Sequence, residues 1–141
     1  MTDLALYITW KNYSSWSLRA WLLMRALEIP FEEILVPMTD EARLPAMAGI
    51  SPTRKVPCLI DRGMSGGMSA VTIWETLAIA EYLDELFPER GVWPEDMASR
   101  ATARAMVAEM HAGFAALRSE CPMNLRRPSA PMAVSESCRA D

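Results

Sequence analysis

Three short groups of residues carry side chains or backbone suited to chemistry. The first is Ser14-Ser15-Trp16-Ser17, hydroxyls set directly before a helical pattern. The second is Lys55-Val56-Pro57, at the entrance of a short β-type run. The third is Glu75-Thr76, where a second β-type run feeds into a helix. A helix N-terminus offers free backbone N–H groups and a positive dipole end, so Thr76 and its neighbours suit a carboxylate. A strand end opened by proline leaves its backbone free to meet a peptide. Together these groups describe a socket for a small acidic peptide, with a hydroxyl nearby.

The elements that must position them follow from periodicity. Leu4 to Ile8 is a near-continuous apolar run, the pattern of a strand buried on both faces. From Ser17 the pattern is helical, with Leu18, Trp21, Leu22 and Ala26 on one face and Ile29-Pro30 as its stop. Phe31 to Val36 reads as a second strand, which makes a right-handed βαβ unit with parallel strands. Asp40 to Ala48 can form a short helix before Gly49. Cys58 to Asp61 and Val71 to Trp74 flank Gly63, Gly66 and Gly67 as a hairpin. Ile79, Leu83, Leu86 and Phe87 then give the stripe of a helix that Pro88 ends. The expected order is βαβαββα, an α/β domain over residues 1–87. Within it Trp74 is expected in the core, and Cys58 as a small buried hydrophobe.

Residues 88–94 read as a linker. Beyond it, Ala103, Met106, Val107, Met110, Phe114 and Leu117 fall on one stripe, which predicts a single long helix over 95–121. Residues 122–141, with Pro128, Pro131, Ser135 and Ser137, read as a flexible tail.

Composition bounds the function. The 141 residues are 51% hydrophobic and 23% charged, ordinary for a globular protein. The net charge of −4 comes without a block of like charge, which argues against nucleic acid and anionic membranes as partners. No apolar run approaches the ~18 residues of a membrane span, and no signal peptide is evident. Cys58, Cys121 and Cys138 are an odd set without a C-x-x-C pair. They do not look like a disulfide framework or a metal site, and a reduced, cytoplasmic setting is expected.

With these residues in hand, the chain resembles the cytosolic glutathione transferases, nearest to the bacterial and zeta-like members that use serine. The resemblance covers Leu4 to roughly Arg127 and rests on Val56-Pro57, Glu75-Thr76 and the Ser14-Ser15-Trp16-Ser17 loop. That loop is similar to the S-S-C-S loop of zeta members, with Trp16 in the cysteine's place. The resemblance implies a thioredoxin-like domain that binds glutathione as co-substrate, followed by an all-helical domain that builds a pocket for a small electrophile. It implies a cis bond at Val56–Pro57 whose backbone pairs with the cysteinyl part of glutathione. It gives Glu75 the γ-glutamyl ammonium, Thr76 its carboxylate and Lys55 the glycyl carboxylate, although Lys55 equally fits a solvated surface lysine. Ser14 or Ser15 would donate to the thiolate, and both, with Ser17, also suit simple helix capping.

Trp16 is expected to cover the site or pack under it, His111 to be a packed or pocket-rim histidine, and the Met106, Met110 and Phe114 stripe to be mostly core, with its upper part able to line a soft electrophile pocket. The resemblance also implies a homodimer in the complete form. The activity expected is conjugation of glutathione. A maleylacetoacetate-type isomerase and a non-catalytic binding module are the alternatives. Two features depart from the family pattern. The hairpin turn from Arg62 to Ala70 is long and rich in glycine and methionine. The helical domain shows one helix where the family has several, so the second domain is expected to be truncated.

Overall fold

The structure is a computed structural model that describes residues 3–63 and 70–141. It divides into two compact units, one ending at Val92 and the other beginning at Trp93. The middle of the hairpin turn, with Gly66 and Gly67, lies outside the described residues.

The first unit is a thioredoxin-like βαβαββα domain. Its strands are β1 (Leu4–Ile8), β2 (Glu32–Leu35), β3 (Cys58–Asp61) and β4 (Val71–Trp74), and its helices are α1 (Ser15–Ala26), α2 (Asp40–Ala46) and α3 (Thr76–Leu86). The sheet order is β2-β1-β3-β4. β1 and β2 are parallel across α1, whereas β3 runs antiparallel to both β1 and β4. The apolar run of β1 has the reason expected of it, since side chains alternate across a sheet covered on both faces. Leu4, Leu6 and Ile8 join one cluster with Ala20 and Met24 of α1, Leu59 of β3, and Ile79 and Leu83 of α3. Tyr7 points the other way and packs against Val36, Met47 and Cys58. The same alternation corrects the reading of Trp74. Ile73 takes the inward position of β4 and leaves Trp74 39% exposed. Cys58 is fully buried, as expected, and burial pushes its thiol pKa up despite a hydrogen bond with Ser51.

The expected linker over 88–94 is mostly part of this unit. Pro88–Arg90 form a 3-10 turn, and Phe87 and Val92 pack on the main core cluster. Arg90 Nη1 donates to the Leu27 carbonyl at 3.3 Å, closing the turn against the end of α1.

The second unit differs from the single long helix expected over 95–121. It holds α4 (Met97–Ala112), α5 (Ala115–Glu120) and α6 (Glu136–Ala140). Asp96 caps α4 by accepting from Ser99 N at 2.7 Å. The break falls at Gly113, which is extended, and Phe114, which is left-handed at φ 62°. A Cβ on Gly113 would lie 3.0 Å from the Glu109 carbonyl oxygen, so a larger residue would crowd this close approach. Arg118 donates through Nε to the Gly113 carbonyl at 3.1 Å and through its guanidinium to the Met110 carbonyl, satisfying the open end of α4. Phe114 and Leu117 therefore do not continue the helical stripe of Met106 and Met110. The tail is also corrected, because Glu136–Ala140 are helical and Cys138 is buried.

Candidate functional site

Register brings the three groups to one end of the sheet. Tyr7 and Trp74 both lie opposite Cys58 in the ladders of β3 with β1 and β4. Just beyond that row come the exit of β1 into the serine loop, Val56-Pro57 before β3, and Glu75-Thr76 after β4. Strand pairing thus gathers the Ser14 loop with two segments more than forty residues further along the chain.

The serine loop is tightly organised. Ser14 is the N-cap of α1, with Oγ accepting from Ser17 N at 3.2 Å. The Ser14 hydroxyl also donates to Ser17 Oγ at 2.9 Å, and Ser17 Oγ accepts from Thr9 N at 3.1 Å. Ser17 is fully buried. It links the end of β1 to the cap and leaves Ser14 half-buried at the helix N-terminus. Ser15 opens the helix one residue later. Sequence reading treated Ser17 only as a capping residue; the S-x-x-S spacing at a helix start was the signal for its link to Ser14.

A charged cluster anchors this loop from behind, and sequence reading missed it. Glu33 on β2 pairs with Lys11 and accepts from Trp21 Nε1 at 2.7 Å, with Arg25 at 3.9 Å. Lys11 also lies over the Trp21 ring, 4.8 Å from its centroid. Burial pushes the Glu33 carboxyl up, but Lys11, Trp21 and Arg25 together hold it below its ordinary value. The two glutamates at the start of β2 carried no pattern that named these partners. Trp16 meets Arg19, whose guanidinium sits 4.4 Å from its ring centroid.

At the second group, Val56–Pro57 is a cis peptide, as the family resemblance implies. Pro57 is buried, Val56 half-buried and Lys55 exposed. At the third, Glu75 is the N-cap of α3 at φ 71°, ψ 134°, a conformation rare outside glycine. Its side chain makes no cap hydrogen bond to the first turn of α3. Strain of this kind at a helix start is a recurrent feature of ligand clamps. α3 is held from its far side by Tyr82, whose hydroxyl donates to Asp61 Oδ2 at 2.6 Å, while Asp61 Oδ1 accepts from Gly63 N at 2.8 Å. Burial, with the Asp61 hydrogen bond and charge, pushes the Tyr82 pKa up to about 12.

An open depression of about 410 Å³ is lined by Gly49, Ile50, Ser51, Pro52, Arg54 and Thr72, and none of the three groups contributes to it. Met106, Met110, His111 and Phe114 all lie in the second unit. Met106 and Met110 are exposed on α4, His111 is half-buried near its end, and Phe114 sits at the break. Among the described residues no cluster of His, Cys, Asp and Glu could hold a metal ion, and no helix is long and apolar enough to cross a membrane.

With the fold and this geometry in place, comparison with known proteins defines the class. The family model for the glutathione S-transferase N-terminal domain matches residues 13–86, more than half of the chain, and the chain belongs to that family. It is similar to a probable maleylacetoacetate isomerase from Caenorhabditis elegans, 31% identical over 114 residues that span 81% of this chain and 49% of that protein. It is also similar to a dichloromethane dehalogenase from Methylorubrum extorquens, 33% identical over 72 residues, 50% of this chain and 23% of that one. Among solved structures, a glutathione transferase homolog from Burkholderia GL BGR1 with bound glutathione superposes with a TM-score of 0.67 at 28% identity, covering 84% of this chain and 62% of that one. The chain spans about half the length of the curated isomerases it matches.

Proposed function

We propose that this chain binds glutathione at the sheet end and activates its thiol for attack on a small electrophile. One observation supports the reading: in the pairing of β1, β3 and β4 the exit toward Ser14, the entry after Val56-Pro57 and the start of α3 fall at the same end of the sheet. The backbone of Val56 would pair with the cysteinyl unit. Thr76 and the first amides of α3 would take the γ-glutamyl carboxylate, Glu75 the ammonium, and Lys55 the glycyl carboxylate.

The thiol chemistry follows from energetics. A thiol of pKa ~8.5 is a good nucleophile only as its thiolate. Lowering that pKa by ~2 units takes about 2.7 kcal/mol of preference for the anion. A charge-assisted bond from a hydroxyl supplies ~1.5–3 kcal/mol, and the positive end of α1 adds ~1–2 kcal/mol. No general base is needed. Ser14 is the donor in this reading, with Ser15 one step behind it in the same turn. Ser14 has one proton, which now goes to Ser17 Oγ. Rotating the Ser17 hydroxyl to donate back would free the Ser14 proton for the sulfur while Ser17 N still holds Ser14 in place. Trp16, in the serine loop, stands on the electrophile side of the same proposal, and a homodimer is the assembly it expects.

The test is ultraviolet thiolate absorbance of bound glutathione as a function of pH. Ser14→Ala should raise the bound thiol pKa by one to two units, on the scale of one lost charge-assisted bond (~1.5–3 kcal/mol), and leave binding nearly intact. Thr76→Ala should weaken binding with a smaller effect on that pKa. An unchanged pKa in both Ser14→Ala and Ser15→Ala would sink the serine mechanism. Absence of any thiolate signal in the native chain would favour a non-catalytic binding module. A second reading, glutathione-dependent isomerisation of a cis-enediol ketone of maleylacetoacetate type, is favoured by the 31% identity to a probable isomerase. Turnover of that substrate against an aryl halide separates the two.

A further inference from the structure

The C-terminal segment is clasped onto α5 by polar contacts at both ends. Asp141 Oδ2 accepts from Leu117 N, in the first turn of α5, at 2.9 Å. At the other end, Glu120 accepts from Ser135 N at 2.8 Å and from the Ser135 hydroxyl. Ser135 in turn caps α6, with Oγ accepting from Cys138 N at 3.1 Å. Between these clasps lie two thiols. Cys121 is the C-cap of α5 and is partly exposed, whereas Cys138 on α6 is buried, and both are free. Cys121 directly follows Glu120 and Cys138 lies three residues after Ser135, so the clasp between Glu120 and Ser135 brings the segments that carry the two thiols into one neighbourhood, and Cys121 is, after burial, among the groups that raise the Cys138 pKa. The chain between them would be a costly loop to close from an open state, but here its ends are already held together.

We propose that Cys121 and Cys138 are a thiol–disulfide exchange site, which small-molecule disulfides such as glutathione disulfide convert reversibly to an intrachain disulfide that locks α6 onto α5. The site lies in the second unit and does not depend on the sheet-end socket. Cys121, the accessible thiol, reacts first. It gives up its proton, its thiolate attacks one sulfur of glutathione disulfide, and the S–S bond breaks to release one glutathione thiolate, which takes up a proton. Cys138 then loses its proton and attacks the Cys121 sulfur of the mixed disulfide, releasing the second glutathione. Two protein thiols are oxidised, and one disulfide is reduced to two thiols. Burial and the nearby Cys121, Glu120 and Asp141 raise the Cys138 pKa, so it stays protonated and shielded until its partner is modified.

The experiment equilibrates the full chain in buffers of rising glutathione disulfide to glutathione ratio. It quenches in acid, alkylates under denaturing conditions and maps the thiols by mass. The expected result is joint loss of alkylation at Cys121 and Cys138, with a mass loss of two hydrogens and Cys58 still alkylated. Cys138→Ser should stop at a stable glutathione adduct on Cys121, and Cys121→Ser should leave Cys138 unmodified. A persistent glutathione adduct in the native chain, a disulfide between two chains, or no change in the most oxidising buffer would each overturn the proposal. Because the native chain alone distinguishes these outcomes, a poorly folding variant does not weaken the test.

Discussion

The two units are held by different physics. In the first, Leu6, Ile8, Met24, Leu59, Ile79 and Leu83 have no exposure at all, and a sheet covered on both faces supplies the core. In the second, α4 and α5 bury none of their residues. Polar clasps do the holding there: Asp96 at the start of α4, Arg118 at its end, Glu120 and Asp141 on the C-terminal segment. Apolar burial is worth ~25 cal/mol per Å² and is insensitive to salt and pH, whereas exposed polar contacts are individually small and screened. The difference teaches where the site can be precise. The three groups, with Trp16, sit on the unit whose backbone is fixed by a packed core, whereas Met106, Met110, His111 and Phe114 sit on the unit that is not.

The largest break in this contrast should come from the core. Leu59→Ala removes a fully buried side chain between β1 and the helices and should cost about 2–5 kcal/mol of first-unit stability, read by denaturant unfolding. A loss below 1 kcal/mol would mean the core is looser than its burial implies.

Tyr82→Phe comes next, because it leaves Asp61 short of a donor at an 8% exposed site, at a cost of about 1.5–3 kcal/mol. A raised folded pKa stabilises below the unfolded value and loses that contribution as pH rises through the folded one. The advantage of native chain over variant should therefore hold up to pH ~10, the unfolded tyrosine value, and fade toward pH about 12. Unfolding midpoints between neutral pH and those values would check it, and a constant difference would contradict it.

Glu33→Gln sharpens the same comparison from the acid side. The lowered folded pKa means Glu33 stabilises above the unfolded value of ~4.3 and loses that contribution as pH falls through its folded value. The native chain should be the more stable at neutral pH, and the gap should close in acid. The smallest effect is expected in the second unit. Glu120→Gln removes the charge that receives Ser135, and should speed amide exchange at Ser135 and Cys138 while leaving first-unit unfolding unchanged. Equal protection in both forms would show that the clasp contributes nothing.

How much was legible beforehand can be argued from particular residues. Strand and helix order in the first unit, the buried β1 run and the helix start at Thr76 were readable because local periodicity is written in consecutive residues. The cis bond at Val56–Pro57 followed only from the family resemblance, since the pair alone reads as an ordinary trans proline at a strand edge. The helix break was harder, because the spacing from Met106 through Phe114 to Leu117 fits one continuous stripe. Gly113 was the signal, and the Arg118 contacts that favour the break depend on folding back. Trp74 was misread because a short strand has two faces, and only register decides which one meets the core.

The sequence by itself determined the element types of the first unit and the side-chain types available in each of the three groups. The tertiary structure alone decided that strand pairing sets those groups at one sheet end. It also decided that Ser17 is buried beneath Ser14, that Lys11 finds Glu33, and that Glu120 receives Ser135. The reason is physical: propensities and caps act over a few neighbouring residues, whereas these partners are brought together by backbone ladders and burial spanning the whole fold.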